Sequence, residues 1–487
     1  MEQQSASIRK QAVTGAVWKF AERILAQVIT LAVSLVIARL LDPTDYGVVS
    51  LVTAFFAFAN VIISGGLNTA LIQKKNADRE DYNTVFTVSL IVAVLIYLLI
   101  YLLAPWIAGL YDQPILVPIM RVLGLSLPIY ALKSIVCAYV SANLQFKMFF
   151  FATLSGTLVS AVVGVYMALN GFGAWALVAQ QLTNTAIDTL VLFCITKIKL
   201  SFRIATARLR GLLSYGSRIM ASSLLGVTVS QINPLFIGLK YTSADLSFYT
   251  KGRSLPDTLS SSMVYTISSV LFPVLSKVQD DREKILNYTR LYMQMASFVT
   301  FPVMFGFMAV SENFILVFLT EKWLPAAYYI QIACMALAFD VVAAGNCETI
   351  KAMGRSDIFL KIEIAKKIGY FITLALFLMF TNTPEMLALS MLACTLIQVV
   401  INSIPNMKLI GYKTAYQIAD LLPNLLMAVV MCAAVILVGK LNISPLLLLV
   451  VQIFAGAGVY VFMGVATRNK AMQYLLDIIK RRNTVSI

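Results

Sequence analysis

Apolar runs of membrane-crossing length recur from one end of this 487-residue chain to the other, and no other feature narrows the fold as much. Each holds roughly 18–25 residues, enough for a helix to cross a hydrocarbon core of about 30 Å. About 14 such runs can be read, the first near 15–40 and the last near 445–466, with short connections that leave no room for a soluble catalytic domain. The expectation is an all-α polytopic membrane protein with about 14 transmembrane helices. A composition 60% hydrophobic and 13% charged agrees with it. The first run is too long, and too charged at its start, for a cleaved signal peptide, and no small-residue cleavage site follows it.

That first run carries a line of polar residues, Lys19, Arg23, Gln27, Thr30 and Ser34, at i, i+4, i+8, i+11 and i+15. On a helix they share one face. Because an unpaired charge in hydrocarbon costs several kcal/mol, such a face must meet protein or water. The pattern returns about 200 residues later as Arg218, Ser222, Gly226, Ser230 and Asn233. Three further matches accompany it: the turn 39–47 with 240–247, the stretch 70–80 with 273–283, and Gln181, Asn184 and Asp188 with Thr395, Gln398 and Asn402. Together they predict a duplication of two six-helix repeats, residues 1–200 and 201–412. Two extra helices and a cytoplasmic tail follow at 413–487, and they read as a peripheral addition with few polar residues inside. Six is even, so the repeats are parallel, and a substrate path belongs between them.

The formal charge of +15 reads as an orientation signal. With a cytoplasmic N-terminus, about 27 of the 38 Lys and Arg fall on the cytoplasmic side, which predicts both termini there. Attraction to anionic inner-leaflet lipid is secondary, and no nucleic-acid partner is implied. Six scattered cysteines without Cys-x-x-Cys read as small core residues. The absence of histidine removes His-based metal sites and Ser-His catalysis, and no phosphate-binding Gly-x-x-x-x-Gly-Lys-Ser/Thr loop occurs. No enzyme and no resident cofactor are expected.

The Ala38–Gly47 turn (Ala-Arg-Leu-Leu-Asp-Pro-Thr-Asp-Tyr-Gly), the Leu144–Lys147 loop, the Leu271–Lys277 stretch (Leu-Phe-Pro-Val-Leu-Ser-Lys) and Glu321–Pro325 (Glu-Lys-Trp-Leu-Pro) occur in that order. In order and spacing the chain resembles the bacterial polysaccharide transporter (Wzx-type oligosaccharide flippase) family. That family belongs to the multidrug/oligosaccharidyl-lipid/polysaccharide exporter superfamily, and the likeness is to its colanic-acid-exporter-like branch, over about Gln11 to Arg468. The resemblance implies a two-lobed helical bundle with a central cavity. It also implies movement of an undecaprenyl-diphosphate-linked oligosaccharide across the bacterial cytoplasmic membrane, beside polysaccharide polymerase and export machinery.

Depth estimates sort the candidate cavity residues. At about 1.5 Å per residue, Lys19, Arg23 and Arg218 lie near the inner mouth, where they form a cationic vestibule or else snorkel to the interface. Gln27 and Asn233 continue the two stripes inward. Lys133, Asp188 and Asp340 lie roughly 12–16 Å above the cytoplasmic edge. They contact substrate or a coupling proton or sodium ion, or Lys133 and Asp188 simply pair. A cationic lining favours anionic cargo over the drug cations of same-fold extruders. A peptidoglycan lipid precursor is the nearer rival cargo, and a membrane-embedded glycan polymerase or ligase would need large loops that are absent. Prolines and glycines mark bends: Pro128 in the fourth run, Pro234 in the seventh, Gly65-Gly66 late in the second. Trp175 and Trp323 are read as interfacial anchors.

Overall fold

The computed structural model describes residues 25–74, 77–380, 383–474 and 476–477, and these residues are meant throughout. They are helical with short connections, and no strand occurs among them. The helices are α1 (Leu25–Leu40), α2 (Pro43–Ser64), α3 (Leu67–Gln73), α4 (Arg79–Leu110), α5 (Leu116–Leu123), α6 (Ser126–Ala142), α7 (Lys147–Leu169), α8 (Ala174–Thr196) and α9 (Thr206–Lys240). They continue as α10 (Ser243–Ser276), α11 (Arg282–Phe318), α12 (Ala326–Leu337), α13 (Asp340–Ala352), α14 (Ser356–Phe380), α15 (Pro384–Leu409), α16 (Thr414–Val438) and α17 (Pro445–Ala466). Taking α5–α6 and α12–α13 as single broken spans, 12 are long and apolar enough to cross a membrane. The two remaining runs do not qualify: α1 is shorter over its described part, and α14 carries Lys361, Glu363, Lys366 and Lys367. Among the described residues, length and composition thus support 12 of the roughly 14 expected spans.

Local chemistry sets the ends and breaks. Asp78 accepts from the Asp81 amide and Asp81 accepts from the Asp78 amide, a reciprocal cap that starts α4. Asp281 caps α11, and Thr383 with Pro384 starts α15. Gly65 and Gly66, at φ 52° and 67°, end α2 and begin α3, because the left-handed region is cheap only without a Cβ. In the fourth run the break falls at Gly124–Leu125, ahead of Pro128, which occupies the first turn of α6 where its missing N–H is not needed. Pro234 sits inside a continuous α9.

The helices fall into two compact units, Met1–Ser247 and Phe248–Ile487. In the first, α7 and α8 pack along each other, α6 packs against α4 and α8, and α9 packs on α2 and α3. Two glycines let backbones touch, Gly66 against α9 and Gly47 against the start of α10. A Cβ on Gly66 would lie 2.2 Å from the Gly216 carbonyl oxygen, and one on Gly47 would lie 1.8 Å from the Ser243 carbonyl oxygen. Backbone cannot give way as a flexible side chain would. Gly47→Val is expected to lower stability by about 1–3 kcal/mol through overpacking. Thermal unfolding in detergent checks it, and an unchanged midpoint would remove Gly47 from this contact.

The segment 199–205, between α8 and α9, is stitched to the start of α4. Asn83 Oδ1 accepts from the Ser201 amide at 2.9 Å, Thr84 Oγ1 from Ala205 at 3.1 Å, and Thr87 Oγ1 from Arg203 at 3.2 Å. Arg79 Nε donates to the Lys199 carbonyl at 3.0 Å. Arg208 then reaches back to Asp78, to Glu80 at 2.9 Å and to Asp81 at 3.6 Å, while Lys74 holds Asp81 at 2.6 Å. These bonds explain why Asp81, Asn83, Thr84 and Thr87 are buried at the head of an otherwise apolar helix. The hydrogen bond from Arg208 pulls the Asp78 carboxyl down to about 2. A carboxyl lowered on folding stabilises above its ordinary range and loses that contribution as pH falls through it. The protection of the Ser201–Ala205 amides, taken relative to their intrinsic exchange rate at each pH, is therefore expected to hold from pH 8 to 5 and to fall only as pH drops from about 4 toward 2. Loss of protection already near pH 6 would exclude this carboxylate cluster as the clamp.

The core of the second unit is α11, which packs against α16, α12, α17 and α13, while α15 packs on α12, α13 and α14. Helices α16 and α17 are not the apolar periphery expected from sequence, since Gln417, Asp420, Asn424 and Gln452 are all buried. Arg290 of α11 holds Asp420 with two bonds of 2.8 and 2.9 Å, and Tyr412 and Gln294 each donate to it at 2.8 Å. Asn424 donates to Ser297 at 2.7 Å and Asn313 to Gln452 at 2.7 Å. Between largely apolar helices, bonds of this kind fix register where area alone would not. Trp323, expected at an interface, is fully buried against Phe248. Asp420→Ala would leave the buried Tyr412 hydroxyl without its acceptor, and is expected to cost about 1–3 kcal/mol; thermal unfolding of the detergent-solubilised variant is the check.

Candidate functional site

Lys133 and Asp188 come together. Their Nζ and Oδ2 atoms are 2.5 Å apart, bridging α6 and α8 of the first unit. Gly156 of α7 makes room for the carboxylate, since a Cβ there would lie 2.9 Å from Asp188 Cβ. Four residues earlier on α8, Asn184 donates to Ser160 at 3.2 Å. The two partners are unequally covered, with 28% of the lysine side chain exposed and 8% of the aspartate. The residues of α6 before Ala142 are all buried or half-buried, and Lys133 is among the half-buried ones.

Helix α9 supplies an open polar face. Arg218, Ser222, Gly226 and Ser230 are exposed, and only 11% of the membrane-length window of α9 is buried. Nothing lies within 4 Å of where a Gly226 Cβ would stand. Arg218 makes no ion pair with a described residue. One turn past Ser230 the face closes, and Asn233 is 1% exposed. Gln27 is half-buried on α1, and Lys19 and Arg23 lie outside the described residues.

In the second unit Asp340, the first residue of α13, accepts from Ser260 of α10 at 3.2 Å. Sequence reasoning missed the rest of α10. Ser254, Thr258, Ser261 and Tyr265, at i, i+4, i+7 and i+11, form a hydroxyl-bearing face that is exposed or half-exposed. Thr258 and Ser261 return their protons to carbonyls of their own helix, at 2.8 and 3.3 Å, which leaves oxygen lone pairs outward. Beside it, Arg253 pairs with Asp257 at 3.1 Å and donates to the Tyr249 hydroxyl at 3.3 Å. The run Ser260-Ser261-Ser262 in a membrane-length helix was the available signal. Near the far end of the first unit, Arg121 stacks 4.1 Å above the Tyr101 ring. Among the described residues no group of acidic, cysteine or histidine side chains is placed to hold a metal.

In the first unit the exposed guanidinium of α9 suits an anionic group, and in the second the exposed hydroxyl row of α10 suits a polar one. Hydroxyls exchange hydrogen bonds with sugar hydroxyls, and Arg and Lys match phosphate or carboxylate oxygens.

Residues 36–328 match the profile of a family described as polysaccharide biosynthesis protein. The chain is 23% identical to the succinoglycan biosynthesis transport protein ExoT of Rhizobium meliloti (strain 1021), over 59% of this chain and 58% of that one. It is 22% identical to the lipopolysaccharide biosynthesis protein WzxC of Escherichia coli (strain K12), over 74% of each. Among solved structures, the lipid II flippase MurJ in an inward closed conformation superposes with a TM-score of 0.73 at 14% identity, over 94% of this chain and 99% of that one, which shows a shared fold.

Proposed function

Because this chain belongs to the polysaccharide biosynthesis protein family, we propose that it carries an undecaprenyl-diphosphate-linked oligosaccharide from the inner to the outer leaflet of a bacterial cytoplasmic membrane. It is a transporter and not an enzyme. The observation that carries the cargo reading is the open face of α9, with Arg218 exposed on a helix of membrane length. A glycan head group with its diphosphate cannot cross about 30 Å of hydrocarbon unassisted, since each unpaired hydroxyl or charge is costly there. Cationic and hydroxyl-lined helix faces replace its water, while the lipid tail stays in the bilayer.

On this reading both termini are cytoplasmic, the two repeats alternate access by rocking, a proton or sodium gradient couples to the cycle, and a polymerase takes the product on the outer side. Relatives named for succinoglycan and lipopolysaccharide biosynthesis support an oligosaccharide over a drug cation. The test is reconstitution in proteoliposomes with a fluorescent lipid-linked oligosaccharide, scored by its accessibility to an impermeant quencher with and without an ion gradient. Protein-dependent flipping supports the assignment, and absence of flipping under every gradient overturns it.

A further inference from the structure

The two halves of the chain carry the same structural position with different chemistry. Helix α5 ends at Leu123 and α6 starts at Ser126, and 214 residues later α12 ends at Leu337 and α13 starts at Asp340. In that shared register Cys347 lies 214 residues after Lys133, and Asn402 lies 214 after Asp188. The second pair also meets. Cys347 Sγ donates to Asn402 Oδ1 at 3.6 Å, with 8% and 0% of the two residues exposed. One position in the fold is thus filled by a charged pair in the first unit and by a neutral, fully buried pair in the second.

The neutral version shows that helix packing at this position does not need charge. A buried ion pair is often no more stabilising than an uncharged pair of similar volume, because both ions lose water. Retaining the costlier version in one unit points to a use, and the exposure pattern says which partner is used. Asp188 is enclosed, whereas part of the lysine side chain is open. A compact ammonium on a flexible stem suits a phosphate oxygen and can turn from one anion to another.

We propose that Lys133 is a phosphate-binding residue of the transport path: it leaves Asp188 to bind the diphosphate of the lipid carrier, and Asp188 takes it back on release. This rests on the oligosaccharide-flipping assignment. Asp188 is then a positioning residue that competes with the cargo and keeps binding reversible. The cargo's charged end is held by the first unit alone, since the second has only Cys347 and Asn402 at this position.

The experiment copies the second unit's pair into the first, as K133C/D188N, with K133M/D188N as a variant closer in volume. Binding of undecaprenyl diphosphate, which carries no sugar, is measured on detergent-solubilised protein against undecaprenol as the uncharged control. Either folded double variant is expected to lose at least tenfold in affinity for the diphosphate while binding undecaprenol as wild type does. D188N alone removes the competitor and is expected to bind the diphosphate more tightly than wild type, yet to flip more slowly. Wild-type affinity in both double variants, or weaker diphosphate binding in D188N, overturns the proposal. The flipping assay on wild type separates the two levels of inference. If wild type flips no lipid-linked oligosaccharide, the transport assignment fails; if wild type and the double variants flip equally, only the role of Lys133 fails.

Discussion

Lys133→Met should destabilise the protein by about 3–5 kcal/mol, the usual cost of stranding one member of a buried ion pair. The expected drop in thermal midpoint is about 3–5 °C. The partner left behind, Asp188, is the more enclosed of the two and packs beneath Gly156, so water does not easily replace the ammonium. The reverse change, Asp188→Asn, is expected to cost less than half as much, because Lys133 already has part of its side chain in the open. Adding Asp188→Asn to Lys133→Met should recover most of the loss, since it removes the stranded charge. Equal midpoints for the two single variants would contradict the asymmetry in their burial.

Arg218→Glu should reduce flipping at least tenfold, about 1.4 kcal/mol or more in the transport barrier, while leaving thermal stability within about 0.5 kcal/mol of wild type. The stability half follows from exposure and from the lack of an ion-pair partner among the described residues. The transport half follows from placing like charge where a diphosphate must pass, which costs more than losing a favourable contact. Arg218→Lys keeps the charge but not the planar fork, and should fall between the two. Wild-type flipping by Arg218→Glu would place the cargo elsewhere and leave the α9 face without a role in transport.

The long apolar runs and the polar face of α9 were readable because periodicity survives without any knowledge of partners. The placement of Lys133 beside Asp188 was also within reach, since depth along two helices is simple arithmetic. What escaped were features fixed by packing. Asn83, Thr84 and Thr87 look like ordinary residues at a helix start until the segment 199–205 is seen lying on them. Asp420 and Asn424 sit in an apolar run and find partners on α11, about 130 residues earlier in the chain, which no local pattern announces. Trp323 was assigned to an interface by residue type, and its burial against Phe248 reflects tertiary contacts instead. The hydroxyl face of α10 was visible as spacing but lacked the charge that drew notice to α9.

The fastening of 199–205 to α4 also bears on where this molecule is able to bend. A connector between two long helices is ordinarily taken for a slack tether, yet here, inside the first unit, three backbone amides and one carbonyl in it are tied to side chains of α4. Lengthening or tilting that segment would break those bonds together, so it behaves as a splint. The adjoining α9 carries what a helix needs to bend, with Gly211, Gly226 and Pro234 along its length and open space beside both glycines.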